Sequence, residues 1–565
     1  MRVPSRRSLA AAAVATALLL AGACSSGSTG STGSPTTAAG PTKGADTGPP
    51  ATGVAPSQLT GDLTATNGFK PGENGFSFQN YGKVDGRPNL TADEVRRFFG
   101  DSVCASLANG TCTLTPPAEQ WMQQVSDGMN GGHCEGMAAL ALLLYKGTVK
   151  LADIVPGASN TWAAAIEGND KLAKEIAYWW ATQTIEPSST AEVKDKKPSE
   201  IVSMLKDSFK DGAEESYTLG IYKTVDGKKT AGHAITPYGL VEKGEGKVEI
   251  AVYDNNFPAQ PRAVVVDTGA DKWSYSAAAD PTQPESLYEG DASTFSLTLT
   301  PTSSRLKSFT CPFCSAAAPA AGFGKGVLRG EDGGASMGQL FLNENAGDKG
   351  VVVTVTDLDG NALSGVRSID PKNSDDINAI PTITQIPAGV AFKVKIDGSA
   401  LKESVTTDIT YIGPELDQYI DGINLDPGQI DTATFRPTSG ALTYETTSSE
   451  SPTIGIGFSS PGADYDFSVG GVDLPSGGAV EARVDLAAGS FTVSNLSSST
   501  GTYALTMDRI DDNGEQSFSK DDVELVGGAV LVFPYTAWTT KGDVLKAEVQ
   551  TPSGAPTPLE LTSDK

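Results

Sequence analysis

Hydrophobic periodicity changes once along this chain of 565 residues, and the change divides it into two unlike folds. Between residues 76 and 298 helical and strand patterns are mixed. Thr91 reads as the cap of a short helix, with Glu94 three positions on and Gly100 at its end. Residues 134–146 read as a buried helix, 170–184 as an amphipathic helix carrying Trp179 and Trp180, and 198–211 as another capped helix. Strands follow at 217–223, 231–242, 247–253 and 263–267, joined by turns rich in Gly and Asp. Beyond residue 336 the pattern is strand-like throughout, as in 351–356, 392–396, 453–458, 491–495, 503–508 and 529–533. The expectation is an α+β domain over 66–300, a Gly/Ala/Ser-rich linker over 301–335, and one or two β-sandwich modules over 336–565.

The N-terminus carries an address rather than a fold. Arg2, Arg6 and Arg7 precede an apolar run, residues 9–23, that is too short for a stable transmembrane helix. The run ends in Leu20-Ala21-Gly22-Ala23-Cys24, which resembles the lipobox of bacterial lipoproteins. That resemblance implies processing of residues 1–24 and lipidation of Cys24, so that the body stands on the extracytoplasmic face of a membrane. The alternative is an ordinary secretory signal cut near Ala23. Residues 25–65 are dominated by Ser, Gly, Thr, Pro and Ala, which cannot bury enough surface to offset their ordering entropy. They read as a disordered tether.

A formal net charge of -26 argues against nucleic acid and against an anionic membrane surface as partners, leaving the lipid anchor as the membrane contact. The 6 cysteines say more. Setting aside Cys24 and Cys134 leaves Cys104, Cys112, Cys311 and Cys314, an even number in an oxidising compartment. Cys104 with Cys112, and Cys311 with Cys314, would each close a short loop. Cys311-Pro-Phe-Cys314 lacks the strand–helix setting of a redox motif, and a zinc site would lack its other half. Residues 322–326 are glycine-rich without the setting of a phosphate loop, and the turns at 357–361 and 511–514 lack the first ligand of a calcium loop. No cofactor is implied.

Two segments carry chemistry. Asn130-Gly131-Gly132-His133-Cys134-Glu135-Gly136-Met137 runs into the buried helix, and Gly232-His233-Ala234-Ile235-Thr236-Pro237-Tyr238 is followed by Val252-Tyr253-Asp254-Asn255-Asn256. Between them they hold both of the chain's 2 histidines. A helix start and a nearby imidazolium both favour a thiolate, so Cys134 reads as nucleophile. His233 reads as the base that then protonates the leaving group, and Asp254 as its orienter. Adjacent strands joined by the turn Lys243-Gly244-Glu245-Gly246 would set His233 and Asp254 side by side. His133 points away from its neighbour's thiol and reads as a rim or packing residue. Asn255 and Asn256 are alternative orienters. Read singly, the same residues make a buried small side chain, a core histidine and a turn.

These residues, with Phe257-Pro258 after them, resemble the active-site segments of the papain-like superfamily, which spans cysteine proteases and transglutaminases with Cys, His and Asp or Asn in this order. The resemblance covers residues 76–298. It implies a papain-like fold, with Cys134 attacking a carbonyl and Asp254 orienting His233. The papain pattern places a glutamine, its oxyanion donor, six residues before the cysteine. Gly128 stands there, with Gln120, Gln123 and Gln124 further upstream, so the donor is unassigned. The expected activity is a thiol hydrolase or acyltransferase acting on an amide bond of a protein, peptide or cell-wall substrate. The alternative is a non-catalytic surface lipoprotein with a degenerate papain-like domain and binding sandwiches. The first expects the Cys134 sulfur within hydrogen-bond reach of the His233 ring and an open cleft above them; lack of either is expected of the second.

Overall fold

The computed structural model describes residues 56–225, 228–277, 285–314, 337–342, 350–372, 383–460, 462–471, 474–511, 514–540 and 542–564. The apolar leader, Cys24, residues 25–55, residues 315–336 with the glycine run, and Asp512 and Asn513 lie outside them. The chain forms a helical layer, a sheet bearing the predicted His233 strand, and a long β double layer.

The helices form where the capping chemistry puts them. Thr91 and Glu94 make a reciprocal capping box at the start of Ala92–Phe99, and Gly100, at φ 79°, ends it. Pro198–Ser208 begins with Glu200 accepting from the Lys197 amide at 3.0 Å. Helix Cys134–Tyr145 is buried over its first ten residues. Its near-uniform apolarity has a direct cause, because it lies between a second helix and a sheet and has no wet face. On one side Gly136 presses against Asp170–Ala181: a Cβ there would fall 2.0 Å from the Ile176 carbonyl oxygen. On the other, Thr236 donates to the Ala138 carbonyl at 3.5 Å. Pro116–Gly128 is a further helix that the periodicity did not single out. It buries Trp121 and Val125, yet also two glutamines, which mask its apolar face.

The sheet is antiparallel and runs Leu297–Pro301, Tyr217–Val225, Lys228–Gly244, Lys247–Tyr253, Arg262–Asp267, Lys272–Ala277, Ser286–Asp291, with Ala65–Thr66 added beside Lys228–Gly244. The predicted turn closes the central hairpin with Gly244 opposite Lys247, and positive φ at Gly244, Glu245 and Gly246 makes the tight reversal. Residues 56–65, expected to belong to a disordered tether, are ordered against the sheet. The Ser57 hydroxyl accepts from the Ser276 amide at 2.7 Å, and Thr60 binds the Glu249 carboxylate. Polar contacts with the sheet, with Leu59 and Ala65 packed on the apolar cores, order residues 57–66.

The C-terminal region consists of two nine-stranded antiparallel sheets. From Val405 onward successive hairpins alternate between them: Val405–Gly413 with Leu416–Leu425 in one, Ile430–Arg436 with Ala441–Thr446 in the other, and so on to the end. One continuous apolar core, including Ile409, Ile420, Phe435, Val480, Phe467 and Phe533, lies between the layers, as in a β-sandwich. Asp357 makes the hairpin turn read from the sequence, accepting from the amides of Asp359 and Asn361 at 3.0 and 2.8 Å. The described residues contain no group of three or more His, Cys, Asp or Glu set to hold a metal, and no helix long and apolar enough to cross a membrane.

This double layer packs against the helical region. Gln120 and Gln124 both donate to the Thr410 hydroxyl at 3.2 Å, and Trp121 donates to Gln339 at 3.0 Å. Ile369, Ile383 and Ile412 join the helical core. Cys104–Cys112 and Cys311–Cys314 are disulfides, and Phe313 is buried against Phe99 and Trp121. The described start of the expected linker is therefore anchored, because an aromatic ring inside its disulfide loop is core.

Gly136→Ala is expected to lower unfolding free energy by about 1–3 kcal/mol, measured by chemical denaturation, since neither helix backbone can yield a methyl's width without shifting.

Candidate active site

Cys134 is the first residue of its helix and the free cysteine among the described residues, with no solvent exposure. His133 precedes it at φ -113°, outside helical geometry, so the chain enters the helix at the thiol. Asn255 fixes this entrance to the sheet. Its Nδ2 donates to the carbonyl of Cys134 at 3.1 Å and to that of Ala234 at 3.0 Å. Its role is thus to hold the nucleophile's backbone beside the His233 strand, not to orient the imidazole.

His233 sits opposite Ile221 in its strand, and Asp254 follows directly after strand Lys247–Tyr253. The hairpin brings His233 Nε2 to 2.8 Å from Asp254 Oδ1. The carboxylate has further donors: the Asn256 amide at 2.8 Å on Oδ1 and the Tyr275 hydroxyl at 2.6 Å on Oδ2. Arg262 Nε donates to the Tyr275 oxygen at 2.9 Å, and the same guanidinium pairs with Glu285 at 2.7 Å. A line of polar groups therefore runs from the imidazole through a buried carboxylate and phenol to a buried ion pair.

Burial raises the Asp254 pKa, but the His233 charge and hydrogen bond, with Arg262 and Tyr275 behind, overcome it and hold the acid at about 2. Burial would also lower the His233 pKa. Asp254 outweighs that, with the Cys134 thiol adding to the same side, and the imidazole is held well above its usual value. His233 Nδ1 has no hydrogen-bond partner among the described residues. His233 and Asp254 are thus brought together as predicted, and Asn255 ties the backbone of Cys134 to that of Ala234 beside His233, while the Cys134 thiol itself bonds to the Lys372 carbonyl.

His133 has a separate place. Nδ1 lies 2.6 Å from the Tyr81 carbonyl, which can only accept, so Nδ1 carries the proton. Nε2 faces the Asn89 side-chain amide at 2.9 Å, and the ring stacks on Tyr81 at 4.4 Å. Burial lowers its pKa to about 4. It is a packing residue, as its position beside the thiol suggested. Glu135, one residue on, makes a fully buried pair with Arg305, and Thr218 donates to it at 2.9 Å.

No cleft opens over the thiol among the described residues. Cys134 Sγ donates to the Lys372 carbonyl oxygen at 3.5 Å, and Gln183 Nε2 donates to the same oxygen at 3.3 Å. Gln183 Oε1 accepts from the Lys372 amide at 2.6 Å. The open cleft expected of an active enzyme is filled by a segment of the β region. Gln183 thus bonds both main-chain groups of Lys372. Gln120 and Gln124 hold Thr410 instead. Gln183 ends a helix in the run Trp179-Trp180-Ala181-Thr182-Gln183, and nothing local marks it. Only its contact with a residue 189 positions away does so.

No protein-family model, curated protein or solved structure matches this chain. The geometry of the site therefore stands on its own.

With only 2 histidines, their ring resonances are separable by NMR. His133 is expected to titrate near pH 4, below the usual histidine range, and His233 above that range. Asp254→Asn removes the larger opposition to burial, so the His233 resonance should titrate at lower pH than in the parent chain. The same signs set the pair's linkage to folding. The His233 contribution is complete below about pH 6.5 and fades as pH rises through its folded value. That of Asp254 is complete above about pH 4 and fades as pH falls toward about 2. Arg305→Met strands the buried Glu135 carboxylate and should cost about 3 kcal/mol or more in chemical denaturation.

Proposed function

We propose that the chain is a thiol hydrolase or acyltransferase of papain-like type, acting on amide bonds at the extracytoplasmic face of a membrane. The observation that carries this is a single carbonyl oxygen, that of Lys372, receiving both the Cys134 thiol and the Gln183 amide, with His233 and Asp254 behind the thiol. An acyl donor whose carbonyl takes that place meets a nucleophile and an oxyanion donor at once.

The chemistry follows from the parts. Sγ attacks the carbonyl carbon, and the oxygen, gaining charge, accepts from Gln183 Nε2. In this reading the attacking species is the thiolate of a thiolate–imidazolium pair, and His233, which holds the proton the thiol has already lost, delivers it to the departing amine as the C–N bond breaks. The resulting thioester is resolved by water, giving an acid, or by a second amine, giving a new amide. Asp254 keeps the ring oriented through both steps and stabilises it while it is charged; once neutral, the ring takes a proton from the water or amine that resolves the thioester. No metal is invoked. The two disulfides suit an oxidising compartment, in keeping with the leader and the lipobox-like Cys24.

The test is acylation by p-nitrophenyl acetate, read as nitrophenolate release and as acetyl mass on the Cys134 peptide. His233→Ala should slow acylation by ~100-fold or more, and Cys134→Ala should abolish it. Equal rates for the parent chain and His233→Ala would overturn the activation of the thiol. One observation favours the other reading, a non-catalytic surface protein: the thiol has no exposure. That reading expects no Cys134 acylation in any variant.

A further inference from the structure

We propose that Glu192 forms the floor of an acyl-donor pocket that selects lysine, and that the chain's own Lys372 fills it as an intramolecular substrate mimic. The proposal rests on the thiol-enzyme reading above and names the substrate class of that site.

Lys372 is 2% exposed, and its backbone and side chain are bound by different groups. Its carbonyl lies on Cys134 and Gln183, and its amide on Gln183. Its ammonium lies 2.7 Å from Glu192 Oε1 and 3.3 Å from the Thr300 hydroxyl. Thr298 donates to the same Glu192 oxygen at 2.8 Å, fixing the carboxylate. The alkyl stem crosses Gly220, where a Cβ would fall 2.3 Å from Lys372 Cε. A glycine in mid-strand weakens a sheet, and here its bare backbone makes the channel through which the stem reaches the acid.

The residues before Lys372 extend the likeness to a bound peptide. Tyr222 donates to the Asp370 carbonyl at 2.9 Å, and Lys229 pairs with the Asp370 carboxylate at 3.0 Å. Pro371 has no N–H to leave unsatisfied in the covered groove. Residues 370–372 are thus held through the main chain at Asp370 and Lys372 and through the Asp370 carboxylate, with the long Lys372 side chain in the acid-floored pocket. A covering segment needs only apolar packing. A buried ammonium is expensive unless a paired acid already waits for it. The coincidence of that pocket with a carbonyl on the nucleophile distinguishes a mimic from a plug.

The experiment uses the full chain and three fluorogenic amides, Asp-Pro-Lys, Asp-Pro-Leu and Asp-Pro-Glu, each carrying aminomethylcoumarin on the last residue. Lys372→Ala empties the pocket and should hydrolyse the lysine amide ~10-fold or more faster than the parent chain, and ~10-fold or more faster than it hydrolyses the other two. Asp370→Ala loosens the segment at Lys229 without touching the pocket and should raise lysine turnover in the same direction. Adding Glu192→Gln to Lys372→Ala should erase the lysine preference. Equal turnover of the three amides by Lys372→Ala, or no gain over the parent chain in both single variants, would overturn the proposal. Either result alongside intact p-nitrophenyl acetate acylation leaves the thiol chemistry standing. Loss of that acylation in every variant overturns both.

Discussion

The Asp254 carboxylate, buried without solvent exposure, is the group on which the site depends. A carboxylate in a dry interior persists only if donors surround it. Here they come from the His233 strand, from the amide two residues on, and from a tyrosine two strands across the sheet. Meeting that requirement orients the imidazole and keeps it charged. The strand order follows, because Arg262 and Tyr275 must lie on the neighbouring strands to support the acid. The catalytic reading and the stability of the sheet thus share one set of hydrogen bonds.

The same electrostatic logic recurs beneath the nucleophile. Glu135 follows Cys134 in the first helical turn, where its charge suits the helix N-terminus, and Arg305 answers it from the turn after the last strand of the sheet. Lys372 and Glu192 form a third buried pair close by, with Glu135 acting on the Lys372 ammonium as well. Opposite charges therefore hold together helix, sheet and β layer around one thiol. Each pair is costly to break from one side, which favours a closed arrangement over a loosely docked one.

The β double layer is accordingly part of the site rather than an appendage. Its edge strand Arg367–Ile369 leads straight into Asp370, Pro371 and Lys372, and its face buries Gln120, Trp121 and Gln124. Periodicity could read the two regions as separate domains because each has its own pattern. It carries no sign that one supplies the cover of the other's buried thiol. The helix Pro116–Gly128 escaped notice for a related reason: polar residues on its buried face bond to the partner layer, so its apolar stripe is broken.

What the sequence by itself determined is local: the helix opening at Cys134, the strand bearing His233, the hairpin that sets Asp254 beside it, and the short-range cysteine pairs. Each depends on caps, alternation or loop closure within a few tens of residues, and those leave a pattern. Gln183, Glu192, Tyr275 and Lys372 leave none. Gln183 and Lys372 meet across 189 positions and Cys134 and Lys372 across 238, and a polar residue whose partner is that distant looks locally like any exposed one. Tertiary structure alone decided that the thiol is covered, and by which residue. Only the folded chain brings an acid-floored pocket and a main-chain carbonyl to one sulfur.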